Sequence, residues 1–107
     1  MYKQLGFFKE LNYGDGSGGT LSELIQDTPH EWENEIVDYL STQEPFIVSL
    51  GISYDVFYPD KIIGAPNIFT DGVWYWSEDL PYYIKNYHVK LPDEFIEYVK
   101  KQMKLDK

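Results

Sequence analysis

The chain is 107 residues long, 43% hydrophobic and 18% aromatic, with a formal charge of −9 and no cysteine. This length fits one domain, the apolar content suffices for a packed core, and the missing thiol excludes disulfides and cysteine nucleophiles. No apolar run nears the roughly 20 residues that span a bilayer. The opening MYKQLGFFKEL turns acidic too soon for a secretory signal, so a cytoplasmic protein is expected.

Residues 2–11, with Leu5, Phe7, Phe8 and Leu11, read as a strand or extended lead-in. NYGDGSGG, residues 12–19, is a loop holding four of the eight glycines. Thr20 and Glu23 match a capping box, which predicts a short helix over about 21–26 that buries Leu21, Leu24 and Ile25. Thr28 as cap and Pro29 at the first helical position open a second helix over 29–41. Its apolar face carries Trp32, Ile36, Tyr39 and Leu40. Beyond Pro45, FIVSLGI (46–52) has the composition of a buried strand, and YDVFY (54–58) that of its neighbour. Two runs, Asn67 to Thr70 and Val73 to Trp76, flank Asp71-Gly72 and predict a hairpin with a two-residue turn. Ser77 or Asp79 caps a third helix through about Asn86, with Leu80, Tyr83, Ile84 and Tyr87 inward. Pro92 opens a fourth over 92–104, with Phe95, Ile96, Val99 and Met103 facing the core. Asp93 and Glu94 stand at its positive end, and Lys100, Lys101 and Lys104 at its negative end. The order predicts a single α+β domain, a mainly antiparallel sheet covered on one side by about four helices.

The segment TDGVWYWSEDLPYY (70–83) crowds two tryptophans and three tyrosines around the hairpin. Trp74 and Trp76 share one face of a strand, and Tyr83 and Tyr87 share the apolar stripe of a helix, so these four are assigned to the core. Tyr75 points to the other sheet face and Tyr82 lies off the stripe, which makes them the candidates for outside contact.

Catalytic patterns are missing from the sequence. His30 and His88 are the two histidines, and HEWE lacks the H-E-x-x-H zinc spacing. GDGSGG is followed by no lysine to hold a phosphate, and its acidic Asp15 would repel one. Counted from Asp15, a calcium loop would place Thr20 where glycine belongs and Gln26 where glutamate belongs. Among 18 acids no pair is singled out for glycoside hydrolysis. Accordingly no catalytic residue, cofactor or metal ligand is expected.

Charge is distributed unevenly. Residues 61–107 hold seven lysines and seven acids, so the whole formal charge of −9 falls on residues 1–60. No lysine lies between Lys9 and Lys61, and the chain has no arginine. On the expected helix 29–41, Glu31, Glu35 and Asp38 fall on one stripe, where like charges cost a few tenths of a kcal/mol per pair. Such a field steers a basic partner and disfavours nucleic acid and anionic membrane.

Residues 71–95 read DGVWYWSEDLPYYIKNYHVKLPDEF, and this resembles a pattern of small uncharacterised bacterial proteins, DGxWxWxxDLxYYxxxYHVxLPxEF. GFFKELNYG (6–14) belongs with the same pattern. In size, acidity and lack of catalytic chemistry the chain is similar to immunity proteins, which neutralise toxins exchanged between bacteria. The resemblance implies a non-enzymatic protein that binds a cognate toxin with a basic surface, such as a nuclease. The residues expected to meet it are Glu31, Glu35 and Asp38 first, then Asp15, Asp55, Asp71, Tyr75 and Tyr82. Two further readings are open at this stage. One is a small-ligand or carbohydrate-binding module stacking on Trp74, Trp76, Tyr82 and Tyr83, and the other is an acidic DNA mimic.

Overall fold

A computed structural model describes residues 3–11, 16, 18–48 and 51–104. Its elements run β1 (Lys3–Leu5), α1 (Leu21–Leu24), α2 (Glu33–Ser41), β2 (Glu44–Ile47), β3 (Ser53–Tyr54), β4 (Ile62–Gly64), β5 (Ile68–Thr70), β6 (Trp74–Ser77), α3 (Asp79–Tyr87) and α4 (Asp93–Met103). Four strands form one sheet in the order β1-β6-β5-β2, and β3 pairs with β4 in a second. The expected α+β class holds. The main sheet is mixed, because β1 runs parallel to β6 with Leu5 beside Trp76, while the β5–β6 and β2–β5 pairs are antiparallel.

The core forms between the sheet and the helices. Trp74 and Trp76 point to the helical side of β6 and are buried, as their spacing requires. Trp76 donates its indole N–H to the Leu40 carbonyl of α2 (3.3 Å), and Trp74 meets Phe95 of α4 edge-on at 5.2 Å. Leu80, Tyr83 and Ile84 of α3 and Phe95, Ile96 and Val99 of α4 complete the cluster. Fully burying each such side chain contributes about 1.5–3 kcal/mol. Tyr75 faces away, half-buried against Phe7 with ring centroids 5.2 Å apart.

The lead-in is a strand only through Leu5. Gly6 then takes φ +77°, and a Cβ there would lie 2.8 Å from Leu80 Cδ1, so glycine lets the chain leave the sheet and close over α3. Phe7 and Phe8 are buried, and the Phe7 carbonyl accepts the amides of Gly16 and Gly18. The described glycines of the loop are thus folded back onto the lead-in.

Helix entries differ from expectation. The Thr20–Glu23 capping box does not form; the Glu10 carboxylate, eleven and twelve residues upstream, accepts the Leu21 and Ser22 amides at 2.7 and 2.9 Å. The α1 helix ends at Leu24, two residues short. The α2 helix begins at Glu33 rather than Pro29, because residues 29–32 turn around His30. His30 Nδ1 accepts the Trp32 amide (3.0 Å) and its carbonyl accepts the Glu33 amide (3.1 Å), supplying from a turn what Thr28 was expected to supply as a cap. At α3, Ser77 Oγ accepts the Asp79 amide (3.1 Å), and α4 begins one residue after Pro92.

The strand runs are shorter than their composition suggests. FIVSLGI contributes only its first two residues to β2, which starts at Glu44, and YDVFY contributes only Tyr54 to β3. The hairpin turn slips by one residue: Asp71 pairs backbone with Trp74, leaving Gly72 and Val73 at the tip.

Candidate functional site

The residues after β3 are shaped by one carboxylate. Asp55 is 1% exposed, and its Oδ1 accepts the Phe57 and Tyr58 amides at 2.7 and 3.2 Å, a turn closed by an aspartate on the chain just ahead of it. Its Oδ2 accepts the hydroxyls of Tyr82 and Tyr87, both at 2.6 Å, from the outer side of α3. Burial pushes the Asp55 carboxyl up, but these four donors outweigh it and hold the group below its ordinary value. Burial and the Asp55 charge together push the Tyr82 phenol up to about 12 and raise Tyr87 as well. The acid is driven toward the ionised form and the phenols toward the neutral form, away from the near-neutral values suited to proton transfer. The arrangement is a clamp that ties the 55–58 turn to α3.

Asp71 plays the same part at the hairpin tip. Its Oδ1 accepts the Val73 and Trp74 amides, and its Oδ2 accepts the Tyr39 hydroxyl of α2 at 2.5 Å. Burial raises the Asp71 carboxyl, and the Tyr39 hydroxyl with the two amides brings it below its ordinary value. Glu33 is buried, and His88 Nδ1 meets its Oε1 at 2.8 Å. His88 itself ends α3 in the left-handed conformation, with its amide on the Ile84 carbonyl. At the start of α3, the buried Asp79 accepts the Ser53 hydroxyl (2.7 Å), which joins α3 to β3.

These placements sort the sequence-derived candidates. Asp55 and Asp71 are engaged inside the fold, with both carboxylate oxygens of each already accepting hydrogen bonds, so they do not present a free charge to a partner. Tyr82 is half-buried with its hydroxyl on Asp55 and the Lys61 ammonium 5.4 Å from its ring centroid. Tyr75 is half-buried against Phe7. Glu31 lies in the turn before α2, not on its face, so the three-residue stripe is broken at its first member. Glu31 and Asp38 are exposed and Glu35 is half-buried. Among the described residues the ion pairs join Lys3 to Glu94, His88 to Glu33 and Lys100 to Glu97, and none involves that trio. Asp15 lies outside the described residues. Trp74, Trp76 and Tyr83 are core residues and offer no stacking face to a sugar.

Sequence reasoning missed an apolar surface. Phe46, Ile47 and Val48, expected to be buried, are 50%, 54% and 71% exposed at the edge of the main sheet. Pro45 carried the signal, since a proline within a strand places it at an edge. Ile52, Tyr54 and Ile62 are exposed as well. Ile52 and Tyr54 border a groove of about 360 Å3, whose other walls include Val56 and Pro66 and whose acids are Glu10, Asp55 and Asp79. Among the described residues no group of three or more His, Cys, Asp or Glu is placed to hold a metal ion. Among the described residues no helix is long and apolar enough to cross a membrane.

No family model, curated protein or solved structure matches this chain. The described surface carries an apolar edge at Phe46, Ile47 and Val48 and a groove bordered by Ile52 and Tyr54.

Proposed function

We propose that this chain is a non-enzymatic interaction protein of the immunity type, which binds and neutralises a toxin protein with a basic surface. The observation that supports the reading most is the exposed run Phe46, Ile47 and Val48. Consecutive residues of a strand point to opposite faces, so three exposed in succession leave both faces of the strand end open. Three large apolar side chains exposed in a row exceed the singly scattered apolar residues of ordinary surfaces, which favours a partner that covers them. The partner's charge follows from the surroundings: residues 10–60 hold eleven acids and no lysine, which favours a basic surface and opposes phosphate-rich ones. Glu31, Glu35 and Asp38 then act as the rim charges that speed encounter, and the apolar run acts as the anchor.

The test is calorimetric and kinetic binding to the product of the adjacent reading frame, at low and high salt. A tight complex is expected, with association slowed by salt and by the Glu31→Lys, Glu35→Lys, Asp38→Lys triple variant. Val48→Asp should weaken it at least about tenfold. A toxin-like neighbour that forms no complex, or a complex indifferent to both variants, would overturn the reading.

A further inference from the structure

The lead-in and α1 hold together as one piece. The Phe7 carbonyl accepts the Gly16 and Gly18 amides, the Gly19 carbonyl accepts the Lys9 amide at 2.9 Å, and the Glu10 carboxylate accepts the Leu21 and Ser22 amides. This piece docks on partners far along the chain. Lys3 donates its amide to the Val73 carbonyl at 2.8 Å, β1 runs beside β6, and the Leu24 carbonyl accepts the Lys90 amide at 2.8 Å. Leu5, Phe8 and Leu21 reach from it into the core. A short exposed link joins it to the remainder. Residues 25–29 are all exposed and belong to no helix or strand, and the chain bends at Asp27 and Thr28. Thr28 precedes Pro29, and a residue before proline is pushed toward extended backbone. The bend therefore sits where the sequence favours an opened link.

We propose that two copies of this chain exchange the piece: residues 3–26 of one copy seat on the β6 edge and the α3 end of the other, with Asp27–Pro29 as the hinge. The occupant of that seat is defined, because the same sequence already fills it within one chain. Contacts between the piece and the remainder are remade between copies, and only the hinge takes a new form. The edge position lets β1 leave, since it has a strand on one side only. Concentration decides the balance. A tethered segment is presented to its own seat at about millimolar effective concentration, so a second copy competes at about 1 mM protein and loses about a thousandfold at about 1 µM. Salt screens the −9 of each copy and favours the exchange. The groove bordered by Ile52 and Tyr54 is then composite, because Glu10 and Leu11 of its wall come from the other copy. Each dimer carries two Phe46–Val48 edges, whatever binds them.

The chain has no cysteine, so an introduced pair reports the exchange without competition. Gln4 stands beside Tyr75 in the parallel ladder, where neighbouring strands about 5 Å apart fall within disulfide reach. Gln4→Cys and Tyr75→Cys single variants are mixed, unfolded, refolded together and oxidised. An interchain disulfide between the two substituted positions, identified by peptide mass, is expected at about 1 mM and should be at least about tenfold scarcer at about 1 µM. The double variant should close the same bond within one chain at the lower concentration, which shows that the pair can react. Light scattering on chains that keep Gln4 and Tyr75 gives a second readout, independent of the cysteines. Deleting Asp27 and Thr28 should shift the refolded chain toward dimer, and inserting a few glycine and serine residues after Thr28 should shift it toward monomer. An intrachain bond in the double variant with no interchain bond between the single variants at about 1 mM would overturn the exchange. A dimer fraction indifferent to hinge length would overturn it as well.

Discussion

Replacing Asp55 tests whether one buried carboxylate organises the turn after β3. Hydrogen bonds to a charged acceptor are worth about 1.5–3 kcal/mol each. Asp55 accepts two phenols at 2.6 Å and two amides at 2.7 and 3.2 Å. Tyr82 and Tyr87 are half-buried and can turn their hydroxyls to water, so the full sum is not lost. We expect Asp55→Ala to cost about 3–5 kcal/mol, which at about 5 °C per kcal/mol lowers Tm by about 15–25 °C. Tyr82→Phe and Tyr87→Phe should each cost about 1–2 kcal/mol. The pH dependence carries a definite sign. The folded Asp55 carboxyl lies below its ordinary 3.8, so its stabilisation is fully present above that value and is lost as pH falls through the folded one. Asp55→Asn keeps an oxygen for the two amides but has no charge to lose, so its stability should fall less steeply at acid pH than the wild type's. Urea unfolding at a series of pH values, with unchanged slope as the check on two-state behaviour, measures all of this. An Asp55→Ala loss below about 0.5 kcal/mol, the level of an ordinary surface change, would refute the clamp.

Alkaline titration provides a second check. Burial raises Tyr83 to about 12, and burial with Asp55 raises Tyr82 to the same value, so their stabilisation is complete below 10 and disappears as pH rises through about 12. Near-ultraviolet absorbance should show tyrosinate phases in the native protein later than in the denatured chain. Gly6→Ala forces φ +77° on a side chain whose Cβ meets Leu80 Cδ1 at 2.8 Å, and should cost about 1–3 kcal/mol in denaturant unfolding. Glu10→Ala removes the acceptor for the first two amides of α1, a loss of about 1 kcal/mol, whereas Glu23→Ala should be near neutral by the same measurement. Sugars should not shift tryptophan emission through Trp74 or Trp76, since both are buried; a saturable shift lost in a Trp74→Phe or Trp76→Phe variant would reopen the carbohydrate reading.

Periodicity was legible where it reported burial on one face. The stripe Leu80, Tyr83 and Ile84, the α4 stripe Phe95, Ile96 and Val99, and the Trp74/Trp76 alternation all follow from repeats of 3.6 and 2. What escaped was chemistry acting over distance in the chain. Thr20 and Glu23 satisfy a local capping pattern, yet it is Glu10 that accepts the first helix amides, those of Leu21 and Ser22, because the lead-in is folded beside α1. Glu31 and Glu35 fit a helical stripe only if the helix starts at Pro29, and the His30 turn prevents that. Asp55 and Asp71 read as exposed charges because nothing local announces a tyrosine arriving from 27 or 32 residues away. The apolar run after Pro45 was misread for a different reason. Composition reports what a strand could bury, whereas its position at the sheet edge decides what it does bury.

The parallel β1–β6 ladder has a consequence for how the chain is made. Lys3 pairs with Trp74, so 71 residues must be synthesised after Lys3 before β1 meets its neighbour. At about 5–20 residues per second, that strand waits about 4–14 s on the ribosome. Low-separation contacts such as the β5–β6 hairpin and the α3 turn can form as they emerge, but the sheet is sealed on that side only when both distant pieces meet. Strand β1 is therefore the last of the sheet to find its neighbour although it precedes the other five in the chain. A ribosome-stalled chain ending before Trp74 should leave it open to protease.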